Sequence, residues 1–183
     1  MLKKILLGVG AVVLLFVLYV VYALFIATPK SPPTTTSYKG NGLEIEIDYS
    51  QPSKRGRLIF GKAADGALQP YGKYWRLGAN AATEITVNKD VSFGGESLKA
   101  GTYRMYAIPG PDSFKVIINS EAGVFFGASE PDHALDLFTV DAPVTMQGTE
   151  TEMFTINING NDKGAQIDFI WDKILFSVPI TVQ

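Results

Sequence analysis

Two patterns of apolar and polar positions divide the chain. From Ile5 to Ala27 runs an uninterrupted stretch of 23 residues without a charge, and Met1–Ala27 hold only Lys3, Lys4, Gly8 and Gly10 outside the apolar set. As a helix rising about 1.5 Å per residue the stretch reaches roughly 35 Å, which suits a hydrocarbon core of about 30 Å. From Leu43 the period changes to two. Leu43-Glu44-Ile45-Glu46-Ile47-Asp48-Tyr49 puts apolar residues on one face and acids on the other, as in a half-buried strand. Further strands are predicted at Thr83–Val87, Val91–Phe93, Thr102–Ile108, Phe114–Asn119, Asp136–Val140, Thr151–Ile158, Ala165–Trp171 and Ile174–Val182. Gly94-Gly95 marks a hairpin, and Pro179 points to an edge or bulge in the last strand. Short strands with frequent glycine and proline turns, and no sustained helical period, predict an all-β fold. The expected form is an antiparallel β-sandwich, jelly-roll-like or Greek-key, with one N-terminal transmembrane helix.

The predicted organisation is a cytoplasmic N-terminus at 1–4, a transmembrane signal anchor at 5–27, a flexible linker at 28–42 and an exported β-sandwich domain at 43–183. The linker reading rests on TPKSPPTTTSYKGNG, which is rich in proline, threonine and glycine and lacks an apolar period. A cleaved signal peptide fits less well, because the apolar run is too long and Phe25-Ile26-Ala27-Thr28-Pro29 is a poor cleavage site. Lys3 and Lys4 precede the run, so the N-terminus is expected in the cytoplasm. The expected location is a bacterial cell membrane, crossed once, with the C-terminal domain periplasmic or extracellular. Residues 5–27 would then have the lipid bilayer as partner.

Composition removes several chemistries. The 183 residues include no cysteine and one histidine, with a formal net charge of −2. Disulfides, thiolate metal sites and multi-histidine metal sites are therefore excluded. No basic excess supports nucleic-acid binding, and no cofactor or metal is expected. The charge is uneven: Lys30 to Arg76 carries +4 and Leu77 to Gln183 carries −8. Either both halves solvate exposed faces, or the basic segment attracts an anionic ligand or partner.

The most unusual stretch is YSQPSKRGRLIFGKAADGALQPYGKYWRLGANAAT, from Tyr49 to Thr83. It brings together Arg55, Arg57, Tyr71, Trp75, Arg76 and Asn80. Arginine offers a planar fork to carboxylate or phosphate, and the aromatics offer flat faces to a ring or a partner chain. The same residues also suit a structural role, with the arginines pinning a long loop and Trp75 plugging the sandwich.

This stretch also carries a resemblance. Tyr49-Ser50-Gln51-Pro52-Ser53 with Gly56-Arg57, Ile59-Phe60-Gly61, Pro70-Tyr71-Gly72 with Trp75-Arg76-Leu77-Gly78-Ala79-Asn80, Ala82-Thr83, and Ala100-Gly101-Thr102-Tyr103 with Ile108-Pro109 together resemble the bacterial family DUF2911. The likeness extends over about Ser31 to Val182. It implies an exported single domain and no particular reaction. Gln51 and Ala81 depart from the family pattern, which often has arginine and glutamate there. Either a functional pair or a structural salt bridge would be missing here.

Catalytic candidates are few. His133, in Ser129-Glu130-Pro131-Asp132-His133, reads as an exposed loop residue or as a general base, and Asp132, His133 and Asp136 as a weak metal set. Asn159-Gly160-Asn161-Asp162-Lys163-Gly164 reads as a hairpin turn rather than a calcium loop. The first functional expectation is a non-enzymatic module at the cell envelope that binds an envelope protein or an anionic or glycan ligand through Arg55, Arg57, Tyr71, Trp75, Arg76 and Asn80. The alternatives are an envelope hydrolase acting on glycan or peptide through carboxylates such as Glu84, and an accessory subunit of a membrane complex.

Overall fold

The structure is a computed structural model that describes residues 2–22, 30–124 and 127–183. It separates into two units, Met1–Lys30 and Ser31–Gln183.

In the first unit α1 spans Leu2–Val21. Its uncharged part, from Ile5 to Val21, rises about 26 Å at 1.5 Å per residue, short of the roughly 30 Å hydrocarbon core. Among the described residues no helix is long and apolar enough to cross a membrane. The expected transmembrane anchor over 5–27 is therefore not present as one described helix, and its end at 23–27 lies outside the described residues. From Val12 to Tyr19 the large apolar side chains of α1 are exposed, Val12, Leu15 and Phe16 each by 66%.

The second unit is built of antiparallel sheets. Its strands are β1 (Pro33–Gly40), β2 (Leu43–Ser50), β3 (Phe60–Gly61), β4 (Gln69–Pro70), β5 (Thr83–Val87), β6 (Val91–Phe93), β7 (Glu96–Leu98), β8 (Gly101–Ile108), β9 (Ser113–Asn119), β10 (Asp136–Pro143), β11 (Thr145–Asn161) and β12 (Gly164–Val182). One sheet has the order β1-β2-β5-β8-β9-β10 and the other β11-β12-β6-β7, while β3 and β4 form a small parallel pair. The inward residues of both large sheets belong to one apolar core. It includes Ile45 and Ile47 of β2, Ile85 of β5, Val116 of β9, Phe154 of β11, and Phe169 and Phe176 of β12.

Residues 33–40 correct the linker expectation. They form β1, which pairs with the whole of β2 from Pro33↔Ser50 to Gly40↔Leu43. The domain thus starts near Ser31, not at Leu43. An edge strand needs one satisfied ladder and no apolar face. Three threonines supply β propensity, and the proline stands at the first strand position, where it is tolerated.

A straight strand of the length of β12 would run about 60 Å. Instead β12 doubles back at Asp172 (φ 56°). Phe169 stacks on Phe176 with centroids 4.8 Å apart, and Ser177 Oγ donates to Asp168 Oδ1 at 2.6 Å. The two arms match the separate strands expected at 165–171 and 174–182. The second arm pairs with β6 from Ile180 to Val182, and Pro179 stands immediately before that ladder.

The outer face of the six-stranded sheet carries a polar row. Thr35, Asp48, Glu84, Arg104, Asn119 and Asp136 stand in register across all six strands. The register shift between Asp136 and Phe138 lets Asp136 join this face while Phe138 packs against the core.

Candidate functional site

The segment between β2 and β5 holds all six candidate residues, and the structure divides them. Trp75 goes to the core. It is 2% exposed and makes a two-bond bridge with Ala107, each N–H donating to the other's carbonyl at 2.8 Å. Its ring lies among Phe60, Phe154 and Trp171. Tyr71 is half-buried against the same core. Arg55 is exposed at φ 51°, and its backbone N–H donates to Glu152 Oε1 at 2.8 Å.

Arg57, Trp75, Arg76 and Asn80 line one open cleft of about 310 Å³, together with Gln69 and Tyr74. The arginines are held from behind. Arg57 donates from Nε to the Lys54 carbonyl at 2.9 Å and from Nη2 to the Ser53 carbonyl at 2.6 Å. Arg76 Nη1 donates to the Asn80 carbonyl at 3.2 Å, and Asn80 Nδ2 donates to the Ser31 carbonyl at 3.3 Å. Among the described residues neither guanidinium has a carboxylate partner within salt-bridge distance. Each keeps donors for a ligand. Trp75 Nε1 is buried without a hydrogen-bond partner.

The local backbone is unusual too. Leu77 (φ 52°) and Asn80 (φ 60°) sit in the left-handed region, which non-glycine residues seldom occupy. Thr83 Oγ1 donates to the Leu77 carbonyl at 2.7 Å and helps hold that turn. Strain of this kind concentrates at functional sites.

A second polar assembly lies where the segment after β9 covers the polar row. Arg104 is 2% exposed, and its Nη1 donates to Glu121 Oε2 at 2.7 Å. Its Nη2 donates to Tyr74 Oη and to the Ser129 carbonyl, both at 2.7 Å. Nothing in the local sequence singled out Arg104, since a lone arginine in a strand ordinarily faces water. Its only signal was parity, because Met105 and Ala107 face inward.

His133 is held rather than poised. Its Nδ1 lies 3.1 Å from Asp136 Oδ2 and 3.0 Å from Tyr106 Oη. The bond to Asp136, then that to Glu130, raises its pKa above the ordinary value. Burial, followed by the bond to Asp136, pushes Tyr106 up. No serine hydroxyl hydrogen-bonds His133 among the described residues. Asp132 caps the short turn His133–Leu135 by accepting from Ala134 N at 2.9 Å. Glu84 is occupied as well, since its Oε1 accepts from Gly123 N at 2.5 Å and Val124 N at 3.2 Å. No group of three metal-ligating side chains occurs among the described residues. Asn161 Oδ1 accepts from Lys163 N at 2.9 Å, an Asx contact within the turn between β11 and β12.

Fold and site together define a β-rich domain with two packed sheets, whose long inter-strand segment supplies an arginine-lined cleft. The family described as protein of unknown function, DUF2911, matches residues 31–180, and the chain belongs to it. The match starts where β1 begins to form, not at Leu43. The chain matches no curated protein and no solved structure.

Proposed function

We propose that the protein is a non-enzymatic binding module whose cleft takes an anionic ligand of the cell envelope. One observation carries this reading: Arg57 and Arg76 line the same open cleft, and neither has a carboxylate partner among the described residues. Backbone carbonyls orient both guanidinium groups, so little side-chain freedom is lost when an anion arrives. Asn80 adds an exposed amide, and Leu68, which also lines the cleft, supplies apolar surface. The hydrolase reading is weaker, because Glu84 braces the segment after β9 and no serine hydroxyl bonds His133 among the described residues.

The test uses the full chain in detergent, titrated with trigalacturonate as an acidic glycan and maltotriose as its neutral control. Saturable binding of the acid alone, weakened about tenfold by Arg76→Ala, supports the module; a tenfold loss corresponds to about 1.4 kcal/mol. Equal responses to both sugars, or an Arg76→Ala protein that binds like wild type, overturn it.

Attachment to the cell membrane through 5–27 belongs to the same proposal. The uncharged run in the sequence and the exposed apolar side chains of α1 support it. Lys3 and Lys4 favour an N-terminus in the cytoplasm and the β-domain outside. Alkaline carbonate washing of membranes checks this: the full chain stays in the pellet and a chain lacking residues 2–30 is released. Release of the full chain refutes the attachment.

A further inference from the structure

A second cleft, of about 430 Å³, opens on the outer face of the six-stranded sheet. Asp48, Glu84, Ser50 and Thr35 line it with Ala82 and Val124. Asp48 and Glu84 stand directly opposite each other on β2 and β5, facing the same way. Cross-strand partners place their Cβ atoms about 4.5–5.5 Å apart, and like charges in that arrangement repel. No lysine or arginine lies within salt-bridge distance of either carboxylate among the described residues. Arg104 stands on the far side of Glu84 in the ladder, but it directs its Nη groups to Glu121, Tyr74 and Ser129.

The carboxylates are fixed in place. Thr35 Oγ1 donates to Asp48 Oδ1, and the backbone N–H groups of Gly123 and Val124 donate to Glu84 Oε1. The second oxygen of each makes no hydrogen bond among the described residues. Ser50 adds an independent sign of a ligand. It is 4% exposed, its hydroxyl makes no hydrogen bond among the described residues, and the residue lines the cleft. A nearly buried hydroxyl that forgoes a protein partner is suited to a bond from a bound group.

We propose that this cleft binds an alkylammonium group. Its N–H donors would be shared among the free oxygens of Asp48 and Glu84 and the Ser50 hydroxyl. Ala82 and Val124 would cover the carbon stem. The lining is mostly apolar around a small polar end, and the volume exceeds what a bare cation fills. A small amine and a lysine side chain of a partner protein share this chemistry. The proposal concerns a different cleft from the arginine-lined one and stands without it.

The test follows the amide signals of Gly123 and Val124 by NMR in the full chain in detergent. The additions are n-butylammonium chloride, n-butanol, calcium chloride, and a capped Gly-Lys-Gly peptide. Saturable shifts with butylammonium and none with butanol are expected. Asp48→Asn, which leaves the Glu84 brace intact, weakens the response about tenfold, and Ser50→Ala weakens it less. A peptide bound more tightly than butylammonium identifies a lysine of a partner, and the reverse order identifies a free amine. Equal shifts with butanol, a response to calcium alone, or an unaltered response in Asp48→Asn overturn the proposal.

Discussion

Trp75 lies against Trp171 with ring centroids 5.8 Å apart and planes 24° from parallel, so the segment between β2 and β5 is anchored on the opposite sheet. The same indole meets Phe154 at 4.9 Å and Phe60 at 5.2 Å. Trp75→Ala is therefore expected to cost about 3–5 kcal/mol, the usual range for a large aromatic removed from a packed core. Trp75→Phe should cost clearly less, because a phenyl ring refills much of the space that alanine leaves empty, while both variants equally remove the unpartnered indole N–H. Urea denaturation of the two variants checks the order. Equal losses would mean that the packing of a ring at this position does not set the cost.

Asn119 is expected to be as sensitive as an apolar core residue. It has no solvent exposure. Its amide donates to the Asp132 carbonyl at 2.9 Å and to Asp136 Oδ1 at 2.8 Å, while its carbonyl accepts from Glu121 N at 2.9 Å. Asn119→Ala strands three groups at once, and a loss of about 2–3 kcal/mol follows from one or two unsatisfied buried partners. Hydrogen exchange should quicken across residues 120–135 before the rest of the domain. Unaltered exchange there would show that Asn119 does not hold this segment.

The residues that were legible in the sequence and those that were not differ in a physical way. Leu43–Tyr49 announced its strand because one face is buried and the other wet, which writes alternation into the chain. The hinge of β12 was legible as a break between two strands, since Asp172-Lys173 interrupts the apolar pattern. β1 was not, because an edge strand with threonine on both faces has no apolar period. The polar row from Thr35 to Asp136 depends on cross-strand register, which no local window contains. In the site, Arg57, Arg76 and Asn80, grouped by composition, line one cleft. Trp75 was grouped with them although its ring is buried, since burial of a single aromatic between strands leaves no periodic trace. Asp48 read only as the solvent face of its strand, and Ser50 only as part of the family motif, until the ladder set Glu84 beside Asp48.

Gly94 tests the hairpin reading in three dimensions. It joins β6 to β7 with φ at +60°, and an added Cβ would run into the Val140 side chain. Gly94→Ala thus combines an unfavourable backbone with a clash across the sandwich, and about 1–3 kcal/mol of destabilisation is expected. Gly95→Ala is the control, since it shares a positive φ of 102° but has nothing within 4 Å of the new methyl group. Thermal melts should place Gly94→Ala below Gly95→Ala. The reverse order would mean that backbone conformation alone, without Val140, sets the cost.

His133 gives the domain a pH dependence whose sign is fixed. Its folded pKa is raised above 6.5, by the bond to Asp136 first and by that to Glu130 second. The folded state therefore holds the proton more tightly than the unfolded chain does. The resulting stability is fully present below the unfolded value and is lost as pH rises through the raised folded value. The ring is about half exposed, so solvent screening keeps the effect small. Wild type should melt above His133→Gln at about pH 5.5, and the gap should close by about pH 8.5. An NMR titration of the His133 ring gives the midpoint directly. A midpoint below the ordinary histidine value would show that Asp136 does not favour the protonated ring, and the melting gap would then have another origin.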